Sequence, residues 1–216
     1  MTGPQDSEAH ELPMFPLGAA LFPGEPLPLH VFEPRYRELV HRCLTTDRRF
    51  GVVLIERGSE VGGGDMRTDI GTVAQIIDHS AIGPRRFSLQ CRGIARIRVA
   101  EWLPDAPYPR GAVTLWPDPA FDGDWTTDRD RVVAAREELI GLWRELADRA
   151  DRRAPEPPPL VLPDDPSDCS FALAASLPLS QADRHRALAA PDVAARCAIL
   201  VEAAADVAAA LRFRLQ

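Results

Sequence analysis

Two rhythms of apolar and polar positions run along this chain. From Phe87 to Val99 the alternation is strict. Phe87, Leu89, Cys91, Ala95, Ile97 and Val99 fall on one face of a strand, and Arg86, Ser88, Gln90, Arg92, Arg96 and Arg98 on the other. Gly93 breaks the row and predicts a bend or bulge. Continuous apolar runs at Phe50 to Glu56 and Thr72 to Ile77 predict buried strands, and Gly111 to Trp116 predicts a last one. One helix interrupts them. Pro34 suits a first helical turn, and Tyr36, Leu39, Val40, Cys43 and Leu44 then recur at helical spacing, a stripe expected to pack on the sheet. The stretch from Leu12 to Phe32 carries Pro13, Pro16, Pro23, Pro26 and Pro28. Proline donates nothing to a ladder, so edge strands or loops are expected there rather than a central strand.

After Trp125 the period becomes 3.6. Thr127 and Asp130 form a candidate capping box, followed by Val132, Ala135, Leu139, Leu142 and Leu146 on one stripe with Trp143 beside them. Arg153 to Pro166 holds six prolines and is expected to be a linker or extended crossing. Ser167 is a candidate cap for a short helix, and Ser180 with Asp183 forms a second box. Pro191 is expected to open a final helix with Val193, Cys197, Leu200, Ala204, Val207 and Leu211 on one side. Strands first and helices afterwards argue an α+β fold rather than an alternating α/β one. The expected division is a disordered N-terminus over residues 1–11, a β-rich subdomain over 12–122 and a helical subdomain over 123–216.

Composition then narrows the chemistry. The chain has 216 residues and a net charge of -7, and all 25 of its basic residues are arginine. Without lysine there is no Walker A loop, no serine–lysine peptidase dyad and no Schiff-base chemistry. An acidic chain is also a poor start for sequence-independent nucleic-acid binding. The four cysteines, Cys43, Cys91, Cys169 and Cys197, have no CxxC spacing and are read as buried reduced thiols. The polar start has no signal-peptide core, and no apolar run reaches the ~20 residues of a membrane span. A cytoplasmic location with no membrane partner is expected.

Residues 12–40 read LPMFPLGAALFPGEPLPLHVFEPRYRELV. This segment resembles the opening of the Lon protease amino-terminal, substrate-binding domain family. The likeness continues in FGVVLI at 50–55, GTVAQI at 71–76, CRGIARIRV at 91–99 and LPLSQADRHRAL at 177–188. It implies a PUA-like mixed β pseudo-barrel of about six strands with one packed helix, followed by a C-terminal helical bundle. The resemblance also implies a stand-alone bacterial member that binds substrate polypeptide without cofactor or catalysis, since the ATPase and peptidase signatures of full-length Lon are not found. Its expected partners are unfolded or extended polypeptide and a separate protease or chaperone, and self-association is compatible with the pattern.

Candidate site residues follow from both arguments. Phe15, Leu21 and Phe22 are apolar residues in a proline- and glycine-rich segment, suited to a partly exposed groove for polypeptide, with Phe22 expected to be the most exposed. His30, Glu33 and Arg35 would form its polar rim, although Glu33 and Arg35 also suit a pair that fixes the turn into the helix, with Tyr36 in the core. Arg86, Arg92, Arg96 and Arg98 would form a basic stripe, the basis of an alternative RNA-binding reading that lacks the interleaved aromatics RNA readers use. The run Gly62-Gly-Gly-Asp65 is expected to be a hairpin tip. Asp78 and His79 beside Ser80 are a weak catalytic cue, because adjacent strand residues point to opposite faces.

Overall fold

The computed structural model describes residues 9–57, 66–83, 85–121, 123–153, 156–157 and 159–216. Two compact units make up the chain, Met1–Pro117 and Asp118–Gln216. The expected glycine hairpin tip at 62–65 lies outside the described residues. So does most of the expected disordered start, and His10 and Glu11, which had been assigned to it, are instead ordered in the first strand.

In the first unit, β1 (His10–Leu17), β2 (Pro26–Val31), α1 (Pro34–Leu44), β3 (Arg49–Arg57), β4 (Met66–Ala81), β5 (Phe87–Leu103) and β6 (Arg110–Leu115) follow in order. The strands form one mixed sheet in the order β2-β5-β4-β3-β1-β6, and β6 also pairs with β5, so the sheet returns on itself. Among the described strands only β1 with β3 is parallel. The α+β class expected from the element order is observed.

The expectation that the proline-rich opening stays out of the sheet's interior fails for β1, which lies between β3 and β6. The reason is register. β1 pairs β6 only over His10 to Pro13 and β3 only over Met14 to Leu17. The Met14 amide donates to the Pro109 carbonyl at 2.8 Å, so backbone groups of even-numbered residues look towards β6 and those of odd-numbered residues towards β3. Pro13 therefore faces β3 before that pairing begins, and Pro16 faces β6 after that pairing has ended. Each missing N–H falls where no ladder bond is needed.

The alternation in β5 also departs from expectation. Ala74 pairs Gly93 and Val73 pairs Ala95, which leaves Ile94 as an extra residue in a bulge beside Gly93. Because Val73 and Ala74 point to opposite faces, the bulge transfers the odd-numbered side chains of β5 from one face to the other. Leu89 and Cys91 join a core with Phe15, Leu17, Tyr36, Leu39, Val40, Phe50, Val52 and Ile76. Ile97 and Val99 join a second cluster with Leu12, Met14, Val53, Val73 and Val113. A second bulge in β4 leaves Ile77 extra between Ile76 and Asp78, and Ile77 is exposed. The stripe of α1 closes the first core. Tyr36 stacks on Phe15 with ring centroids 4.0 Å apart, and Phe50 lies 6.0 Å from Phe15.

The second unit contains α2 (Thr126–Arg149), α3 (Pro166–Ser176), α4 (Gln181–Leu188) and α5 (Val193–Arg214). Ser180 caps α4 as expected, its hydroxyl accepting the Asp183 amide at 3.1 Å. The other caps differ. α2 begins two residues earlier than the proposed box requires, with Trp125 at the N-cap and the Asp124 carboxylate accepting the Thr126 amide. Asp165, not Ser167, caps α3, and Asp192 caps α5 after Pro191. Ser167 is drawn elsewhere. Its hydroxyl binds the Asp118 carboxylate.

That carboxylate belongs to a buried network. Arg196 has a fully buried side chain and makes a two-pronged ion pair with Asp118, both contacts at 2.8 Å. Its remaining donors reach the Ser170 hydroxyl at 2.7 Å and the Ala187 carbonyl at 3.2 Å, and its guanidinium lies 3.7 Å from the Phe171 ring centre. One side chain thus ties α5 to α3, to the end of α4 and to the segment that precedes α2.

Candidate polypeptide-binding groove

The residues around the end of β2 leave a recess in the first unit. Phe15 and Leu17 from β1, Pro28 to Val31 from β2, Phe32 and Glu33 from the connection, and Tyr36 from α1 line a hollow of about 200 Å³. His30, Val31 and Phe32 also border a neighbouring hollow of about 410 Å³, completed by Ile82, Arg86 and Phe87 from the β4–β5 hairpin. The two hollows, which share His30, Val31 and Phe32, are taken together as the candidate groove along β2, whose only partner strand among the described residues is β5. Phe32 is 57% exposed and Ile82 49%, so the groove presents large apolar side chains to solvent. His41 from α1 meets the edge of the Phe87 ring, 5.2 Å between centroids.

Four of the six polypeptide-site candidates gather here. Phe15 lies at the floor with its ring in the core, and His30 and Glu33 stand on the rim. Arg35 completes the rim through a 3.1 Å ion pair with Glu33, its guanidinium 4.5 Å from the Tyr36 ring centre. This pair holds the turn from β2 into α1, where Glu33 is the N-cap residue and Pro34 opens the helix.

Leu21 and Phe22 are not part of the groove. Phe22, expected to be the most exposed, is fully buried. Its loop is clamped against the sheet. Thr72 donates its hydroxyl to the Leu21 carbonyl at 2.6 Å, the Phe22 amide donates to the Glu25 carboxylate at 3.0 Å, and Gly93 accepts from the Gly24 amide and donates to the Glu25 carbonyl. A Cβ on Gly93 would sit 2.3 Å from the Phe22 carbonyl oxygen, so glycine at the bulge admits the loop.

Arg86 and the β5 arginines Arg92, Arg96 and Arg98 are not gathered into an open stripe. Arg96 is buried, and both Arg96 and Arg98 lie against the Trp116 ring, 4.1 and 3.7 Å from its centre. Arg92 reaches the Gly24 carbonyl. Arg86, at the closing turn of the hairpin, is the one that borders the groove. Asp78 accepts the amide of His79, and neither lines the groove.

Sequence reasoning missed Phe32 and Ile82. Phe32 had a signal, an apolar residue at the end of β2 that belongs to neither the strand alternation nor the helix stripe. Ile82 had none, because its role depends on where the hairpin turns. The thiols are remote from any chemistry here. Burial pushes Cys43 and Cys91 up to about 12 and Cys197 up to about 11, and Cys169 is raised by the same cause. Among the described residues no helix is long and apolar enough to cross a membrane.

The fold is an α+β module with a mixed sheet followed by helices, and its open feature is an apolar groove at the sheet edge. The family profile of the ATP-dependent protease La (LON) substrate-binding domain matches residues 11–205, and the chain belongs to that family. A solved Lon N-terminal domain protein from Xanthomonas campestris superposes with a TM-score of 0.66 at 27% identity, covering 89% of this chain and 98% of that one. The N-terminal domain of a Lon protease from the Mycobacterium avium complex shares the fold, with a TM-score of 0.59 at 18% identity over 91% of this chain and 99% of that one. Lon protease 2 of Myxococcus xanthus is 37% identical over 105 residues, 47% of this chain and 13% of that protein. A LON peptidase N-terminal domain and RING finger protein of Schizosaccharomyces pombe is 27% identical over 111 residues, 46% of this chain and 23% of that protein. The chain therefore spans only a small part of the length of these longer relatives.

Proposed function

We propose that this chain is a non-catalytic module that binds extended or unfolded polypeptide in the groove along β2 and presents it to a separate protease or chaperone. The carrying observation is the groove itself, where Phe32 and Ile82 stand open beside a strand edge that has no partner among the described residues. Unfolded chains offer what such a surface takes, apolar side chains and unsatisfied backbone groups. Membership of a substrate-binding family supports the reading, and so does the missing lysine, which removes the phosphate-loop and dyad chemistry on which an ATP-driven peptidase depends.

The test is titration with a fluorescently labelled, reduced and carboxymethylated α-lactalbumin, compared with the native protein. Binding to the unfolded form alone is expected, and Phe32→Ser should weaken it about tenfold, as loss of a large buried anchor does. Equal and negligible binding of both forms would remove the proposal.

A further inference from the structure

Two features of the groove specify what it takes, given the polypeptide-binding reading on which this inference rests. The first is the backbone edge. The Gly93 amide donates to the Glu25 carbonyl at 2.9 Å, so odd-numbered residues of β2 turn their backbone groups to β5 and even-numbered residues turn theirs outward. The outward residues are Pro26, Pro28 and His30. Two of these three have no N–H. The free edge is thus rich in carbonyl acceptors and nearly empty of donors, which blocks a full two-way ladder and leaves selection to side chains.

The second feature is charge. Glu33, the carboxylate on the rim, is matched by Arg35. Arg86 has no acidic partner among the described residues, yet it borders the larger hollow beside Val31, Phe32, Ile82 and Phe87. Its own carbonyl is fixed by the Ile82 amide at 2.8 Å, so the guanidinium projects from an anchored turn. An unmatched cation at the edge of an apolar hollow is complementary to a carboxylate next to large apolar side chains.

We infer that the preferred ligand is an extended segment of another polypeptide in which an acidic residue adjoins bulky apolar ones. Its amides donate to the Pro26 and Pro28 carbonyls, its apolar side chains cover Phe32 and Ile82, and its carboxylate meets Arg86. Arg86 is exposed, so the charge contributes selectivity rather than most of the affinity.

Three labelled nonapeptides of alternating leucine and serine, with a central glutamate, glutamine or arginine, test this by fluorescence anisotropy. The glutamate peptide should bind about threefold tighter than the glutamine peptide, the size expected of an exposed ion pair, and the arginine peptide more weakly than either. Arg86→Gln should erase the difference between the glutamate and glutamine peptides. Added salt should narrow the gap in the parent protein. Equal affinity for all three peptides overturns the carboxylate inference while leaving polypeptide binding intact. A preference that survives in Arg86→Gln also overturns it. Failure of every peptide to bind removes both readings. Displacement of the glutamate peptide by an oligouridylate at lower concentration would assign Arg86 to nucleic acid instead.

Discussion

The two units of this chain are held together by different means. The sheet unit excludes charge from its centre. Its cores are apolar, its thiols are buried, and its ion pairs, Arg35–Glu33, Arg67–Asp105 and Arg110–Glu11, keep some solvent contact. Among the described residues its one deeply buried cation, Arg96, lies on an aromatic ring. The helical unit does the reverse. It places a fully desolvated guanidinium among four segments and answers it with Asp118. The sequences account for the contrast. β-strands rich in Val, Ile and Phe interlock by shape. α5 is lined with small residues, Ala203, Ala204 and Ala208 among its buried positions, and small side chains constrain a packing partner weakly. Directional bonds from Arg196 supply the geometry that alanine does not.

The largest test of this comparison is removal of the cation. Arg196→Ala should destabilise the helical unit by about 3–5 kcal/mol, because the buried Asp118 carboxylate would lose its two-pronged ion pair. Urea unfolding followed by circular dichroism at 222 nm measures the loss. Arg196→Met combined with Asp118→Leu should recover most of it, since replacing both partners leaves no stranded charge. A double variant no better than the single one would show that the network contributes more than charge balance.

The sheet unit breaks by a different route. Phe22→Ala should cost about 3–5 kcal/mol, the usual penalty for emptying a buried aromatic site. An effect below ~1 kcal/mol would return Phe22 to the surface position that its proline–glycine neighbourhood implies. This residue shows where sequence stops being informative. β5 was legible because its apolar residues recur every second position, β3 and β4 because of continuous apolar runs, and α1 because its stripe repeats at helical spacing. Gly93 signalled the bulge, but not that the bulge would carry Ile97 and Val99 to another cluster. The clamp on Phe22 depends on Thr72, roughly fifty residues away, and local composition has no access to such a contact. The groove was half legible for the same reason. His30, Glu33 and Arg35 sit within one short segment, whereas Ile82 and Arg86 arrive from a distant hairpin.

A third, smaller effect appears at alkaline pH, where the two thiols of the sheet unit are raised further than Cys197 of the helical unit. Cys43 and Cys91 are raised by burial to about 12, against an ordinary thiol value near 9. In the unfolded chain they ionise first. Their protonated form therefore supports the sheet unit fully below pH 9, and that support is lost as pH climbs from about 9 towards 12. Alkaline unfolding should be steeper in the parent protein than in Cys43→Ala/Cys91→Ala, once the neutral-pH loss of the double variant is subtracted. At pH 8 both thiols should react with a disulfide reagent only at the rate of unfolding.

The smallest stability effect is expected where the largest functional one lies. Phe32 is more than half exposed, so Phe32→Ser removes little buried area and should shift the unfolding midpoint by no more than ~0.5 kcal/mol. Phe15, which lines the same groove, is buried beneath Tyr36, and Phe15→Ser should instead unfold the sheet unit with a penalty of about 3 kcal/mol or more. Two phenylalanines on one groove thus answer to different constraints, one to the core and one to a ligand. If Phe32→Ser destabilised the protein as much as Phe15→Ser, the exposed ring would be a structural element, and the groove would lose its clearest mark of a surface built to be covered.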